Sequence, residues 1–254
     1  MKTIEEMKNE WLREEAAAVM HGWDFAHLRG RYEEEQDLPW DYECEVRRYL
    51  RPDSRILDID TGGGEFLLSL GHPAALTSAT EGYAPNVQLC RKVLGKRGID
   101  FRPAESGGML PFADASFDLV LDRHADFNIP ELLRVLKPGG VFVTQQVGGR
   151  NDRDLVRLLL PGLPAPYPDL CLDTVRRNFE QAGFAVLRGE EAFRPIRFYD
   201  VGALVWFAKV IEWEFCGFSV ERCLPGLLTA QRTLEQTGCV EGTIHRFLLT
   251  VRKL

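Results

Sequence analysis

Arg55-Ile-Leu-Asp-Ile-Asp-Thr-Gly-Gly-Gly-Glu-Phe66 decides the fold: a short apolar run meets an acidic, glycine-dense turn and then an apolar helical segment. That order predicts a strand, a tight loop and a helix start. Glycine permits positive φ and lets a ligand lie close to the main chain, while the first helical turn leaves amide N–H groups without partners. The loop reads as the floor of a nucleotide-type pocket.

Spacing then narrows the nucleotide. A dinucleotide fingerprint needs Gly-x-Gly-x-x-Gly, and counting from Gly62 gives Gly64 correctly but Leu67 where the third glycine belongs. Asp58 and Asp60 precede the glycines, and fixed carboxylates suit a cofactor with an ammonium and a sulfonium better than one with phosphates. The reading is S-adenosylmethionine.

On these residues the chain resembles the class I S-adenosylmethionine-dependent methyltransferases, in particular a bacterial subgroup of the type 11-like enzymes. Their first motif, acidic-x-Gly-x-Gly-x-Gly, reads here Asp58-Ile-Asp60-Thr61-Gly62-Gly63-Gly64, with Asp60 in place of the first glycine. Ala75-Leu-Thr-Ser-Ala-Thr-Glu81 resembles the second strand, ending in an acid 23 positions after Asp58. The resemblance implies that Glu81 accepts from the ribose hydroxyls, that Gly82 and Tyr83 line the adenosine edge, and that Glu105 lies near the adenine amine. Pro85 opens the helix that follows the second strand.

Two further phrases carry the likeness. They are Leu110-Pro-Phe-Ala-Asp-Ala-Ser-Phe-Asp-Leu-Val-Leu-Asp-Arg-His124 and Leu133-Arg-Val-Leu-Lys-Pro-Gly-Gly-Val-Phe-Val-Thr-Gln145. Phe-Tyr-Asp200-Val-Gly-Ala-Leu-Val and the strand end Thr-Gln-Gln-Val-Gly also resemble that bacterial subgroup. Residues after the fourth strand face the transferred methyl in this fold, so Asp122 joins the expected cofactor set. His124 is the candidate base, because an imidazole titrates near neutral pH; the alternative is a histidine that only orders the loop.

The expected architecture is α/β: a Rossmann-like, doubly wound, mostly parallel seven-stranded sheet with an antiparallel last strand at Ile244 to Val251. Residues 1–50 read as an N-terminal helical cap and 51–254 as the cofactor-binding domain, with a helical insert at about 195–243. Residues 3–20 have helical rhythm through Ile4, Met7, Trp11, Leu12 and Ala16. Trp23, Trp40, Tyr42 and Asp200 are the substrate-pocket candidates, although each aromatic has an ordinary packing role available. Asp200 also suits the cap of a helix that is apolar on nearly every side and is read as a lid.

Composition bounds the partners. The 254 residues are 45% apolar and carry a formal net charge of −7; residues 1–50 hold 7 basic and 13 acidic side chains. That acidity disfavours a phosphate backbone and favours a small-molecule methyl acceptor over nucleic acid, with Arg150, Arg153 and Arg157 left as a possible local basic patch. No membrane span or signal segment is read, so a cytoplasmic protein is expected. Six cysteines at 44, 90, 171, 216, 223 and 239 show neither disulfide nor metal spacing, and no metal is expected. An RNA methyltransferase and a non-catalytic S-adenosylmethionine-binding protein are the alternatives; a drifted dehydrogenase is disfavoured by the failed fingerprint. The acceptor, its nucleophilic atom and the oligomeric state are not encoded in any recognisable motif.

Overall fold

The structure is a computed structural model that describes residues 2–19, 25–34 and 37–254. In chain order the elements are α1 (Ile4–Ala17), β1 (Tyr32–Glu34), α2 (Tyr42–Tyr49), β2 (Ile56–Ile59), α3 (Glu65–Ser69), β3 (Thr77–Glu81), α4 (Ala84–Val93), β4 (Asp100–Pro103), β5 (Phe117–Arg123), α5 (Ile129–Val135), β6 (Leu136–Val147), α6 (Arg153–Leu159), α7 (Leu172–Gln181), β7 (Phe184–Phe198), α8 (Val201–Val210), α9 (Val220–Thr237) and β8 (Val240–Lys253). The sheet has eight strands in the order β1-β7-β8-β6-β5-β2-β3-β4, one more than the sequence predicts. The additional strand is β1, antiparallel to the end of β7 with Tyr32 opposite Phe198.

The chain divides into two compact units. The first comprises 1–38, 148–169 and 192–245, and the second 39–147, 170–191 and 246–254. In the second unit β4, β3, β2, β5 and β6 run parallel, and β8 returns antiparallel to β6 with Val143 opposite Thr250. β2 is buried at all four positions and β3 at all five, as expected of strands covered on both faces; β2 is largely apolar, whereas β3 buries the small polar Thr77, Ser78 and Thr80. Phe117, Phe142, Phe179 and Phe247 centre this unit's core. The Lys137-Pro-Gly-Gly140 segment, expected as a turn, is drawn into β6 as an irregularity. Pairing jumps from Phe117↔Leu136 to Leu119↔Val141, with Gly139 at φ +77 absorbing the extra length.

A buried carboxylate fixes α2 in the same unit. Glu45 has no exposed surface; it accepts from Arg188 Nη1 at 2.5 Å and from Thr250 Oγ1 at 2.9 Å. Asp41 caps the helix by accepting from the Cys44 amide. Together these contacts hold Tyr42, the first helical residue, at a defined place beneath the ends of β5 and β6.

The first unit is built around α8. Every residue from Val201 to Val210 except Lys209 is buried, and Trp206, Phe207, Phe198 and Phe215 form its core with Trp11 of α1. This helix is therefore a core element of its own unit. Asp200 caps it, accepting from the Ala203 amide at 2.8 Å, and pairs in bidentate fashion with Arg31 at 2.7 and 2.9 Å. The helical insert starts later than predicted: Arg194–Phe198 belongs to β7, and α8 begins at Val201. Thr3 and Glu6 form a reciprocal capping box on α1. Among the described residues no helix is long and apolar enough to cross a membrane.

Candidate cofactor site

The site forms where β2, β3 and β5 of the second unit end. β2 delivers Asp58 with 5% exposure, and the chain then turns through Asp60, Thr61 and the three glycines. Asp60 sits at φ +48, so the residue in place of the family's first glycine takes a left-handed conformation that a short polar side chain tolerates. Its amide donates to Thr80 Oγ1 at 3.4 Å, and the Thr61 amide donates to the Thr80 carbonyl at 2.9 Å, binding the loop to β3. Thr61 Oγ1 donates to Asp58 Oδ2 at 2.6 Å.

Gly62 and Gly64 have φ +64 and +85. At Gly64 a Cβ would lie 2.7 Å from Leu94 Cδ2, whereas at Gly62 it would meet nothing within 4 Å. The Gly62 position thus leaves open space above the main chain, the cradle the sequence anticipates. The following helix is only five residues long. Beneath the loop, Cys90 Sγ lies 3.0 Å from the Gly62 carbonyl oxygen; burial and the nearby carboxylates push its thiol up to about 12.

Glu81 closes the far side of the loop. Its carboxylate, 5% exposed, accepts from the amides of Gly62 at 2.8 Å, Gly82 at 3.0 Å and Tyr83 at 2.8 Å. Gly82 is needed for close approach, since a Cβ there would lie 2.8 Å from the Ala104 carbonyl oxygen. Tyr83 is 62% exposed, and Glu105 is exposed in the turn after β4.

β5 supplies Asp122, which has no exposed surface. Its Oδ1 accepts from Gln146 Nε2 at 2.7 Å and Thr144 Oγ1 at 3.3 Å, while Oδ2 has no hydrogen-bond partner. Burial pushes the Asp58 carboxyl up to about 7, and that of Asp122 well above the usual carboxylate range, with Asp60 and Asp58 adding repulsion. Asp60 is also raised, chiefly by burial and by Glu81. Mutually repelling carboxylates with an unpartnered buried oxygen are best relieved by a cation. Among the described residues no group of three or more His, Cys, Asp or Glu is arranged to hold a metal ion.

His124 follows at φ +66, its amide donating to the Gln145 carbonyl at 2.8 Å. Gln145 orders its ring: the side-chain oxygen accepts from Trp40 Nε1 at 2.7 Å, leaving the amide nitrogen to donate to His124 Nε2 at 3.0 Å. Desolvation, with Arg246 and Arg123 nearby, pushes the imidazole down to about 3, although the residue as a whole is exposed. It is a neutral, weak base. Tyr42 is buried and donates to the Asp122 carbonyl at 2.9 Å, with its ring 5.1 Å from that of Phe66.

The structure thus brings Asp58, Asp60, Glu81, Asp122, His124, Trp40 and Tyr42 into one unit, with the two aromatics as packed supports. Asp200 lies in the other unit, engaged as a helix cap and in its pair with Arg31. Trp23 lies outside the described residues. Sequence reasoning gave no role to Thr144, Gln145 or Gln146. The available signal was three consecutive polar residues at the end of an apolar strand, where a buried face needs partners for Asp122 and His124.

A glycine loop between β2 and α3 and an acid at the end of β3 stand at the carboxyl ends of parallel strands, where open α/β sheets carry ligands. Residues 57–144 match the family model described as a methyltransferase domain. Over 98 residues the chain is 38% identical to the phthiotriol/phenolphthiotriol dimycocerosates methyltransferase of Mycobacterium tuberculosis, covering 36% of each. Over 127 residues it is 33% identical to the protein-L-isoaspartate O-methyltransferase of Myxococcus xanthus, covering 48% of this chain and 58% of that one. The chain therefore spans less than two thirds of the length of these curated relatives. A candidate methyltransferase from Bacillus halodurans has the same fold, with a TM-score of 0.57 at 14% identity over 83% of this chain and 98% of that chain. Residues 57–144 thus carry a methyltransferase domain, on a class I methyltransferase fold that typically uses S-adenosylmethionine.

Proposed function

We propose that the protein binds S-adenosylmethionine on the Asp58-to-Gly64 loop and transfers its methyl group to a small-molecule acceptor. The observation that carries this reading is the cluster of buried Asp58 and Asp122 with half-buried Asp60 beside Glu81, with Asp122 Oδ2 unpartnered. A ligand bearing an ammonium and a sulfonium neutralises such a cluster; a pyrophosphate would aggravate it. Glu81 is the ribose-binding acid of this reading, releasing backbone amides it now holds, and Gly82, Tyr83 and Glu105 border the adenosine. When bound, the cofactor supplies an already activated methyl for in-line displacement, so the chain's own residues mainly orient and exclude water.

The weak basicity of His124 constrains the acceptor. An imidazole with a pKa of about 3 takes few protons from an alcohol, so the reading favours an acceptor that is nucleophilic at neutral pH without a strong base. His124 then orients the acceptor through a hydrogen bond. Because the matched segment is only 57–144, we assign acceptor choice to residues outside it. The names of the two relatives refer to a lipid and a protein acceptor, which supports methyl transfer without selecting a substrate.

Calorimetric titration with S-adenosylmethionine, S-adenosylhomocysteine and NAD in parallel tests the proposal. The expected result is micromolar binding of the two sulfur nucleotides alone, weakened about tenfold or more in Glu81→Ala. Binding of NAD alone, or of none of the three, overturns it.

A further inference from the structure

The first unit contains a second cavity, of about 490 Å³, within the usual range for small-ligand sites. Arg150, Arg153 and Arg157 line it together with Asp154, Phe193 and Pro168. None of these six belongs to the carboxylate cluster just described, and the sign of the charge is opposite.

Only Arg153 of the three arginines has an internal ion-pair partner among the described residues, the buried Glu214. Among the described residues neither Arg150 nor Arg157 has a carboxylate within ion-pair distance. Arg153 Nη1 faces Glu214 Oε2 only at 3.9 Å and makes no hydrogen bond. Arg153 is nevertheless held, because its Nη2 donates to the Leu163 carbonyl at 2.5 Å and its side chain is 11% exposed. Asp154 is held away from direct pairing with them: its Oδ1 accepts from the Leu155 and Thr243 amides at 2.9 and 3.2 Å, and its Oδ2 accepts from Thr243 Oγ1 at 2.7 Å. Three guanidiniums against the carboxylates of Asp154 and Glu214 leave a formal surplus of one positive charge, carried on the side of the unpaired Arg150 and Arg157.

The other wall is aromatic. Phe193 is 40% exposed, stacked on His245 at 4.4 Å and 18°, with the Arg150 guanidinium 5.9 Å from its centroid. His245 Nδ1 accepts from the Arg150 amide at 3.2 Å, which fixes the residue that carries this guanidinium. An exposed phenyl ring backed by a second ring offers a flat apolar surface beside forked cationic donors.

We propose that this cavity is a binding site for a small phosphate monoester carrying a planar or apolar group. A phosphate monoester is close to a dianion at neutral pH and takes bidentate bonds from guanidinium groups, matching both the charge surplus and the donor geometry. Its apolar part lies against Phe193. The site is independent of the cofactor-binding reading.

Calorimetry on the full chain with phenyl phosphate, inorganic phosphate and benzyl alcohol tests it, alongside a short single-stranded RNA. Phenyl phosphate is expected to bind more tightly than inorganic phosphate, and benzyl alcohol not to bind. Arg150→Ala and Arg157→Ala should each weaken phenyl phosphate by about five- to tenfold. Phe193→Ala should bring phenyl phosphate down to the affinity of inorganic phosphate, with circular dichroism verifying that each variant folds. Absence of phenyl phosphate binding at roughly 5 mM, affinity unchanged in the double arginine variant, or binding of RNA alone would each overturn the proposal. S-adenosylhomocysteine titrated into the same arginine variants should bind as to the parent, separating failure of this site from failure of the cofactor site.

Discussion

The Gln145 side-chain amide donates to His124 Nε2 across 3.0 Å, and it can do so in only one orientation because its oxygen already accepts from Trp40. His124 is therefore the tautomer with its proton on Nδ1, and the ring is fixed before any ligand arrives. We expect nitrogen-edited NMR at pH 7 to show that tautomer, with no protonation of His124 between pH 8 and 5. A titration centred near the ordinary histidine value would refute the arrangement. Gln145→Leu removes the donor and should raise the His124 pKa, while leaving Trp40 without its acceptor at a cost of about 1–3 kcal/mol.

Asp58 links stability to pH. The folded protein holds its proton to about pH 7, whereas the unfolded chain releases it near 3.8. Between those values the folded state binds more protons, so this group makes stability fall as pH rises from about 4 to about 7, with no further loss above. Asp58→Asn should abolish that slope and stabilise the ligand-free protein at pH 7.5 relative to the parent. Urea midpoints of parent and variant at pH 4.5 and 7.5 measure it; parallel slopes would disprove the assignment.

Three positions in the loops separate backbone demand from side-chain chemistry. Gly64→Ala meets both positive φ and Leu94, and Gly82→Ala meets the Ala104 carbonyl, so each should cost roughly 1–3 kcal/mol in thermal or urea unfolding. Asp60→Gly keeps the left-handed turn and should leave stability within about 1 kcal/mol of the parent. Any drop in S-adenosylhomocysteine affinity in Asp60→Gly then measures the carboxylate itself. Large destabilisation of that variant would show that Asp60 is structural.

Glu45 offers a test of how α2 is held. Glu45→Ala leaves Arg188 with Glu190 as its remaining carboxylate and empties a fully buried position, and should cost about 3 kcal/mol. Because α2 carries Tyr42, the same variant should weaken S-adenosylhomocysteine binding, whereas Arg48→Ala, which removes only an exposed partner of Glu45, should change little. Equal effects of the two substitutions would contradict this account.

Much of the second unit was legible because β2, β5 and β6 contain apolar runs bounded by glycine, proline or acids, and because Glu81 closes the largely polar β3. Asp58, Glu81 and Asp122 stand at the ends of those strands, where parallel-sheet loops carry ligands. β1 was missed because a three-residue edge strand of Tyr-Glu-Glu exists only by virtue of its pairing with β7. Arg194–Phe198 was joined to the following helix because both are rich in apolar residues, and Pro195 obscured a strand. Asp60 looked like a departure from pattern; its left-handed backbone shows why a short acid stands where glycine is usual. The roles of Gln145 and Gln146 were illegible because a polar pair at a strand end has no partner in sequence, only in register.

Cys90 gives the glycine loop a clock. With its sulfur against the Gly62 carbonyl and its thiol pushed up to about 12, it has almost no thiolate at neutral pH while the loop lies over it. Alkylation must wait for the loop to lift, so its rate counts opening events, and a ligand clamped across Gly62 and Glu81 would slow the count. The protein thereby carries a built-in chemical reporter of occupancy that needs no knowledge of the methyl acceptor.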